Sequence, residues 1–399
     1  MFDFIARQPN SSKRRAFLKL IGYELLQPCD LAGAAVNSFD LVPPSDATIA
    51  QPNFAGAVAV APLLHTHPKL QAHVLRGAIV SAYTSGIVCD DRLALPDDVR
   101  EGQHRVLTDN DNLFHFEPGH SVRYKYPCTK LKNAIFIGGS GAYNWYHFVI
   151  EILPKALLAQ MLPAAYADYP LVVPEECRSI PSFAEVLAIF AAGREITYLP
   201  KGKYLQVEEL IAFDEVSTGP DNVKVGFWPE IGDYSQHDDF MRTYVDALRA
   251  ALLPDHHAQA NTAKRIFLIR PGVRRNYNQD ALVAIAAKYG FAPHDPSALS
   301  LAAQARLFAS AEMIIGPSGA AWVGMVFRQD PAQFLSWLPA EYRQFCSYAS
   351  LAAILGHDMR FLETIPDRPL KWSGDAYTGG YQLAPEPFER ALQHMTGAA

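Results

Sequence analysis

Cysteine is scarce and scattered in this chain. There are five in 399 residues, Cys29, Cys89, Cys128, Cys177 and Cys346, with no C-x-x-C pair among them. An odd, dispersed set excludes a disulfide scaffold and a structural zinc site of the usual spacing, and points to a reducing compartment. Long apolar runs are missing too: no stretch of about 18 apolar residues reads as a spanning helix. Positive charge is not in excess. Lys plus Arg number 35 against 41 Asp plus Glu, a formal net charge of -6. That excludes a general nucleic-acid binder, whose affinity comes from neutralising phosphates. Several catalytic signatures are absent as well: H-E-x-x-H, a Walker A lysine loop, and a D-x-D-like acidic pair on a strand. GGSGAYN (Gly138 to Asn144) falls short of a full G-x-G-x-x-G.

What is present suits a folded α/β protein. Hydrophobic residues make up 49% and charged residues 19%, which excludes disorder as the main state. At ~150 residues per domain, two to three domains fit the length. Near the start, KRRAFLK (Lys13 to Lys19) is similar to the core of a twin-arginine export signal, but Glu24 and Asp30 interrupt the apolar stretch such a signal needs. The simpler reading is an amphipathic helix with Phe17, Leu18, Ile21 and Leu25 on one face. Lys13, Arg14, Arg15 and Lys19 would let it touch an anionic membrane surface or pack on a domain. Period-two pieces between about 40 and 130 predict a small β-rich region. From AIFIGG (Ala134 to Gly139) onward, strands and helices alternate, which predicts a parallel sheet with helices on both faces. A polar break, PDHHAQANTAK (Pro254 to Lys264), reads as a domain boundary, and the alternation restarts at RIFLIRP (Arg265 to Pro271). The expected division is a helical segment at 1–40, a first domain at 41–255 (β-rich to about 130, α/β after it), a Rossmann-like domain at 256–380 and a closing helix at 381–399. The fold class is α/β, with two doubly wound domains facing a cleft.

Three polar clusters stand at the ends of predicted strands. The first is NWYHFVIEILPK, Asn144 to Lys155. Asn144 is a good N-cap, and the glycines before it let the chain turn sharply. On a helix, His147, Glu151 and Lys155 share a face. A histidine and a carboxylate there suit general-base catalysis. The plainer alternative is a solvated stripe, with Glu151 and Lys155 as an i,i+4 pair worth ~0.2–0.5 kcal/mol. Pro154 lacks a backbone donor, so the helix kinks or restarts. The second cluster is Arg270, with Arg274 and Arg275 behind it. Ligands of open parallel sheets bind beyond the strands' carboxyl ends, where arginine grips phosphate. For Arg274 and Arg275 a solvated surface is the alternative. The third is GPSGAA, Gly316 to Ala321, a glycine-bearing turn feeding a helix, whose free N–H groups would cradle an anion around Ser318, Gly319 and Ala320. A plain turn is one alternative. A nucleophile elbow at Ser318 is another, although Ala320 stands where G-x-S-x-G needs glycine. HTH (His65 to His67) and DHH (Asp255 to His257) lack metal-ligand spacing and read as surface loops; no metal site is expected.

In this order, NWYHFVIEILPK, RIFLIRPGVRRNYNQD, KYGF, SLAAQARLFASAEMIIGPSGAAWVGMVF and YASLAAILGH resemble glycosyltransferase family 61, across roughly residues 130 to 395. That family includes bacterial capsular and lipopolysaccharide transferases, plant xylan-decorating enzymes and animal O-linked N-acetylglucosamine transferases. The resemblance implies a GT-B architecture and inverting transfer from a nucleotide sugar, expected to be UDP-linked, to a glycan or lipid-linked glycan hydroxyl. Taken with the clusters above, the expected catalytic residues are His147 and Glu151, those on the acceptor side Asn144, Tyr146 and Lys155, and those at the donor Arg270, Arg274, Arg275, Asn278, Gly316, Ser318, Gly319 and Ala320. No cofactor or nucleic acid is expected. The expected setting is cytoplasmic, with peripheral contact at the inner membrane. Four positions depart from the family's pattern: Ser318 stands at the usual histidine, Gly324 at asparagine, Gln279 at glutamate, and Ser336 where glutamate is often found. A catalytically silent sugar- or glycan-binding member of an assembly complex is the alternative reading.

Overall fold

The computed structural model describes residues 19–20, 22–95, 113–117, 120–124, 128–219, 227–253, 263–270, 272 and 276–398. The chain divides into two compact units, residues 1–44 with 68–223, and residues 45–67 with 224–399. Among the described residues no helix is long and apolar enough to cross a membrane.

In the first unit one sheet joins eleven of the described strands. Its parallel part runs in the spatial order Ile196–Leu199, Leu171–Pro174, Thr129–Phe136, Leu205–Phe213. Leu171–Pro174 (LVVP) is buried along its whole length, as a strand covered on both faces must be. The chain leaves Thr129–Phe136 toward one edge, through two strands, and then returns to its other side as Leu205–Phe213. The connections therefore reverse direction between those two strands, where open sheets bind ligands. Beyond Leu205–Phe213 the sheet continues antiparallel into Leu70–Val80, paired from Ala72↔Phe213 to Val80↔Leu205. The β-rich stretch expected near 41–130 is thus largely an extension of this same sheet. The residues before it differ from expectation: Leu25 lies in the strand Tyr23–Cys29, so no helix carries it on a face with Phe17. Lys13, Arg14, Arg15, Phe17, Leu18 and Ile21 lie outside the described residues.

The second unit holds a sheet of five parallel strands in the order Ala292–His294, Arg265–Leu268, Met313–Ile315, Gln333–Pro339, Asp358–Pro366. Numbered along the chain this is 2-1-3-4-5, a doubly wound order whose reversal lies between strands one and three. Alternating side chains face opposite sides. Phe267, Ile315 and Leu335 pack with Leu282 and Ala286 of the helix Gln279–Ala287 and with Phe388 and Leu392 of Pro385–Thr396. Phe334, next to Leu335, packs on Trp322 of the 3-10 helix Ala320–Phe327.

Two segments expected in the first domain sit in the second unit. Residues 45–67 form an antiparallel hairpin, Ser45–Ile49 with Leu63–His67, and lend Asn53–Phe54 as a strand parallel to Asp358–Pro366. The helix Asp238–Leu252 joins them because its buried Asp238 accepts hydrogen bonds from Thr48 N and Thr48 Oγ1, at 3.1 and 2.6 Å.

Candidate functional site

The turn after Thr129–Phe136 carries the first cluster. Asn144 caps the helix start, its Oδ1 accepting from Tyr146 N at 2.9 Å. The helix that follows is not regular. After Trp145–His147 it widens into a π turn, Phe148–Ile152, before Pro154–Gln160 resumes as α-helix. Pro154 has no N–H to give the Ile150 carbonyl, and Leu153 N instead reaches back five residues to Phe148 O at 2.7 Å. This widened turn holds His147 Nδ1 against Glu151 Oε2 at 2.7 Å. Glu151 is buried, and the His147 side chain is 22% exposed. Tyr146 is buried and meets the imidazole edge-on, ring centroids 6.0 Å apart.

A solvated stripe is not what forms. Lys155 has a side chain only 3% exposed, and its Nζ donates to Glu215 at 2.8 Å and to Gly138 O at 3.2 Å. Glu215 lies just past the strand Leu205–Phe213, so this buried ion pair ties together the two strand ends where the connections reverse. Lys155 therefore holds the scaffold, and Glu151 has His147 as its partner. Sequence reasoning missed Glu215. The available signal was its place directly after an apolar strand, in FDEV.

In the second unit, Arg270 follows the first strand and Gly316–Gly319 follows the third, both at the reversal. Arg270 Nη2 donates to Ser318 O. Its approach requires glycine next door, because a Cβ on Gly319 would lie 2.5 Å from Nη2. The backbone N–H of Arg270 donates to Gln279 Oε1 at 2.8 Å, and Tyr277 OH donates to the same oxygen at 3.0 Å. Gln279 thus serves as an acceptor at the position where the resemblance leads to glutamate being expected. Gly316 N is used by Leu335 O at 3.0 Å, and Ser318 is buried. Ala320 begins a 3-10 helix rather than an α-helix.

Asn278 differs from its expected place at the donor. Its side chain donates to Leu383 O at 2.9 Å and accepts from Leu383 N at 3.0 Å, clamping the segment before the last helix. Arg274 and Arg275 lie outside the described residues. Two departures have a packing account. The Phe308 ring occupies the space a side chain on Gly324 would need. Ser336 is buried, its Oγ accepting from Trp322 Nε1 at 3.1 Å. The HTH histidines lie on the strand Leu63–His67 rather than in a loop, with His67 buried against the His237 ring; DHH lies outside the described residues. Among the described residues, no group of three His, Cys, Asp or Glu is placed to hold a metal ion. Burial pushes the Cys89 and Cys346 thiols up to about 12.

Residues 145–335 match the family model described as Glycosyltransferase 61. This match supports membership in glycosyltransferase family 61. The family 61 match opens on Trp145, at the capped helix start, and closes on Leu335, so it takes in the His147–Glu151 pair, Arg270 and the Gly316–Gly319 turn. Glycosyl transfer is the chemistry that membership in family 61 supports. No curated protein matched the chain.

Proposed function

We propose that the chain is an inverting, metal-independent glycosyltransferase that moves a sugar from a nucleotide-sugar donor to a glycan hydroxyl. Its expected setting is the cytoplasmic assembly of bacterial capsule, lipopolysaccharide or exopolysaccharide. The hydrogen-bonded His147–Glu151 pair carries this reading. An acceptor hydroxyl is a poor nucleophile, and a base must take its proton as the new bond forms. With Glu151 receiving the Nδ1 proton in a hydrogen bond, the imidazole is oriented and Nε2 becomes its basic nitrogen. The carboxylate then stabilises the imidazolium that proton transfer creates. In the second unit, Arg270 and the turn at Ser318 to Ala320 would meet the diphosphate and offset the charge growing on the leaving group. A GT-B arrangement belongs to the same proposal, supported by the doubly wound order of the second unit and the parallel part of the first unit's sheet.

The deciding experiment is a thermal-shift screen against nucleotides and nucleotide sugars, with and without EDTA, followed by transfer to candidate glycans and anomer assignment of the product. A ligand at 100 times its Kd stabilises by ~2.7 kcal/mol, a clear shift. One nucleotide class is expected to stabilise the chain equally in EDTA, and its sugar to be transferred with inversion. No shift with any nucleotide overturns the reading. The apolar groups at two departures, Phe308 beside Gly324 and Trp322 on Ser336, favour one competing outcome. That outcome is tight donor binding with neither slow hydrolysis nor transfer, and it would mark a silent member.

A further inference from the structure

The second unit carries a surface that the proposed reaction does not use. Residues 55–64, AGAVAVAPLL, run from the strand Asn53–Phe54 through a loop into the first two residues of Leu63–His67, and every one of them is exposed. Val58 is 92% exposed and Leu64 67%. No Asp, Glu, Lys or Arg occurs between Asp46 and Lys69. The loop's first residues, Ala55 and Gly56, line a cleft of about 400 Å³. Leu335, Leu362 and Met395 give that cleft apolar walls, and Arg360, Arg390 and His394 give it basic ones. Gln333 and Asp358 in its lining open their parallel strands, so the cleft lies at the opposite end of the strands from Arg270 and the Gly316–Gly319 turn. Asp358, the acid of the lining, is already paired with Arg360 at 3.2 Å. Arg390 and His394 stand one turn apart on the last helix; Glu386, 4.0 Å from Arg390, points its charge into solvent at 90% exposure.

We infer that this face meets an anionic lipid surface: the 55–64 loop enters the membrane interface and the adjoining cleft receives a lipid phosphate through Arg390, Arg360 and His394. An exposed, uncharged apolar stretch of this length marks a contact surface. Its composition selects the partner. Protein interfaces are anchored by Tyr, Trp and Arg, and this loop holds only small aliphatic side chains with no polar group to specify a mate. A lipid interface asks only for apolar side chains beside basic ones. The backbone is irregular as far as Pro62, so the segment rests at interface depth and goes no deeper. None of these residues belongs to either reversal point, and the inference stands apart from the transferase reading.

The test is co-sedimentation of the full chain with vesicles of phosphatidylglycerol mixed into phosphatidylcholine, against pure phosphatidylcholine. Binding is expected to the anionic vesicles and to weaken with added salt. Val58→Asp and Leu64→Asp should each lower it about tenfold, while melting temperature and circular dichroism stay unchanged. Arg390→Glu should shrink the difference between the two vesicle types. The inference is overturned by no binding to either vesicle or by full binding of the Val58→Asp/Leu64→Asp double variant. It is equally overturned if binding disappears only when residues 1–18 are deleted, which would place the contact on the basic N-terminal segment.

Discussion

The turn after Thr129–Phe136 and the turn after Met313–Ile315 hold equivalent places in their sheets, and they are built from different materials. At the first, His147, Glu151, Lys155 and Glu215 bring four ionisable side chains to one strand end, largely withdrawn from water. At the second, one arginine folds onto a carbonyl of a glycine-bearing turn, with backbone groups and a glutamine amide around it. The difference fits the two tasks proposed for them. Moving a proton requires groups that titrate and an environment that sharpens their mutual field. Holding a phosphate requires donors that keep their charge at every working pH, which arginine and backbone N–H groups do.

The contrast predicts distinct mutant behaviour. The largest effect is expected at the dyad: His147→Ala should lower turnover by about two to four decades and abolish the acid limb of the kcat/KM profile. A normal rate with an unchanged profile would remove the proton-handling side of the comparison. Next comes the buried ion pair. Lys155→Met should cost about 3–5 kcal/mol in urea unfolding, because Glu215 is left buried without its cation. The double variant Lys155→Met/Glu215→Leu should recover most of that; if it recovers nothing, the pair does more than fix the strand ends.

Arg270→Ala should lower turnover by about two to three decades, since donors aimed at developing charge are each worth about 2.7–4 kcal/mol. Its pH profile should keep the wild-type shape, which distinguishes it from the His147 variant. Arg270→Lys should rescue little, lacking the planar fork. The smallest effect concerns a second-unit group outside the turn. Burial holds the His357 pKa down to about 4, from 6.5. The unfolded chain therefore takes up this proton as pH falls below about 6.5, while the folded chain refuses it until about 4. Stability should fall by about 3 kcal/mol across that window and level off below it. Melting His357→Asn against wild type at both ends of the window checks this, and equal acid sensitivity would assign the loss elsewhere.

Local patterns in the sequence were legible where structure is local. Arg265–Leu268 appears within RIFLIRP, where the alternation is expected to restart, and Asn144 caps the helix it precedes. The π turn was not legible. Helical spacing put His147, Glu151 and Lys155 on one stripe, and Pro154 signalled only that something must give. Widening by one residue turned the stripe into two separate pairs. Long-range pairing was equally hidden. Nothing near Ser45–His67 shows that it completes a sheet whose other strands begin at Arg265, because the hydrogen bonds that decide this come from residues such as Asp238. The departures at Gly324 and Ser336 look like missing polar groups in the sequence. In the fold they are sites of contact with Phe308 and Trp322, and only the coordinates of both partners reveal that.

The course of the chain between the units limits how the protein can be taken apart. It passes from one unit to the other after residues 44, 67 and 223. A single cut at 223 would release a C-terminal half without the Asn53–Phe54 strand and without Thr48, the partner of Asp238. A gene fragment trimmed to the matched stretch 145–335 would end before Asp358–Pro366 and begin after Leu70–Val80, leaving both sheets incomplete. Exchanging C-terminal portions between relatives would need the 45–67 segment to travel with that portion, or a permuted chain in which each unit is contiguous.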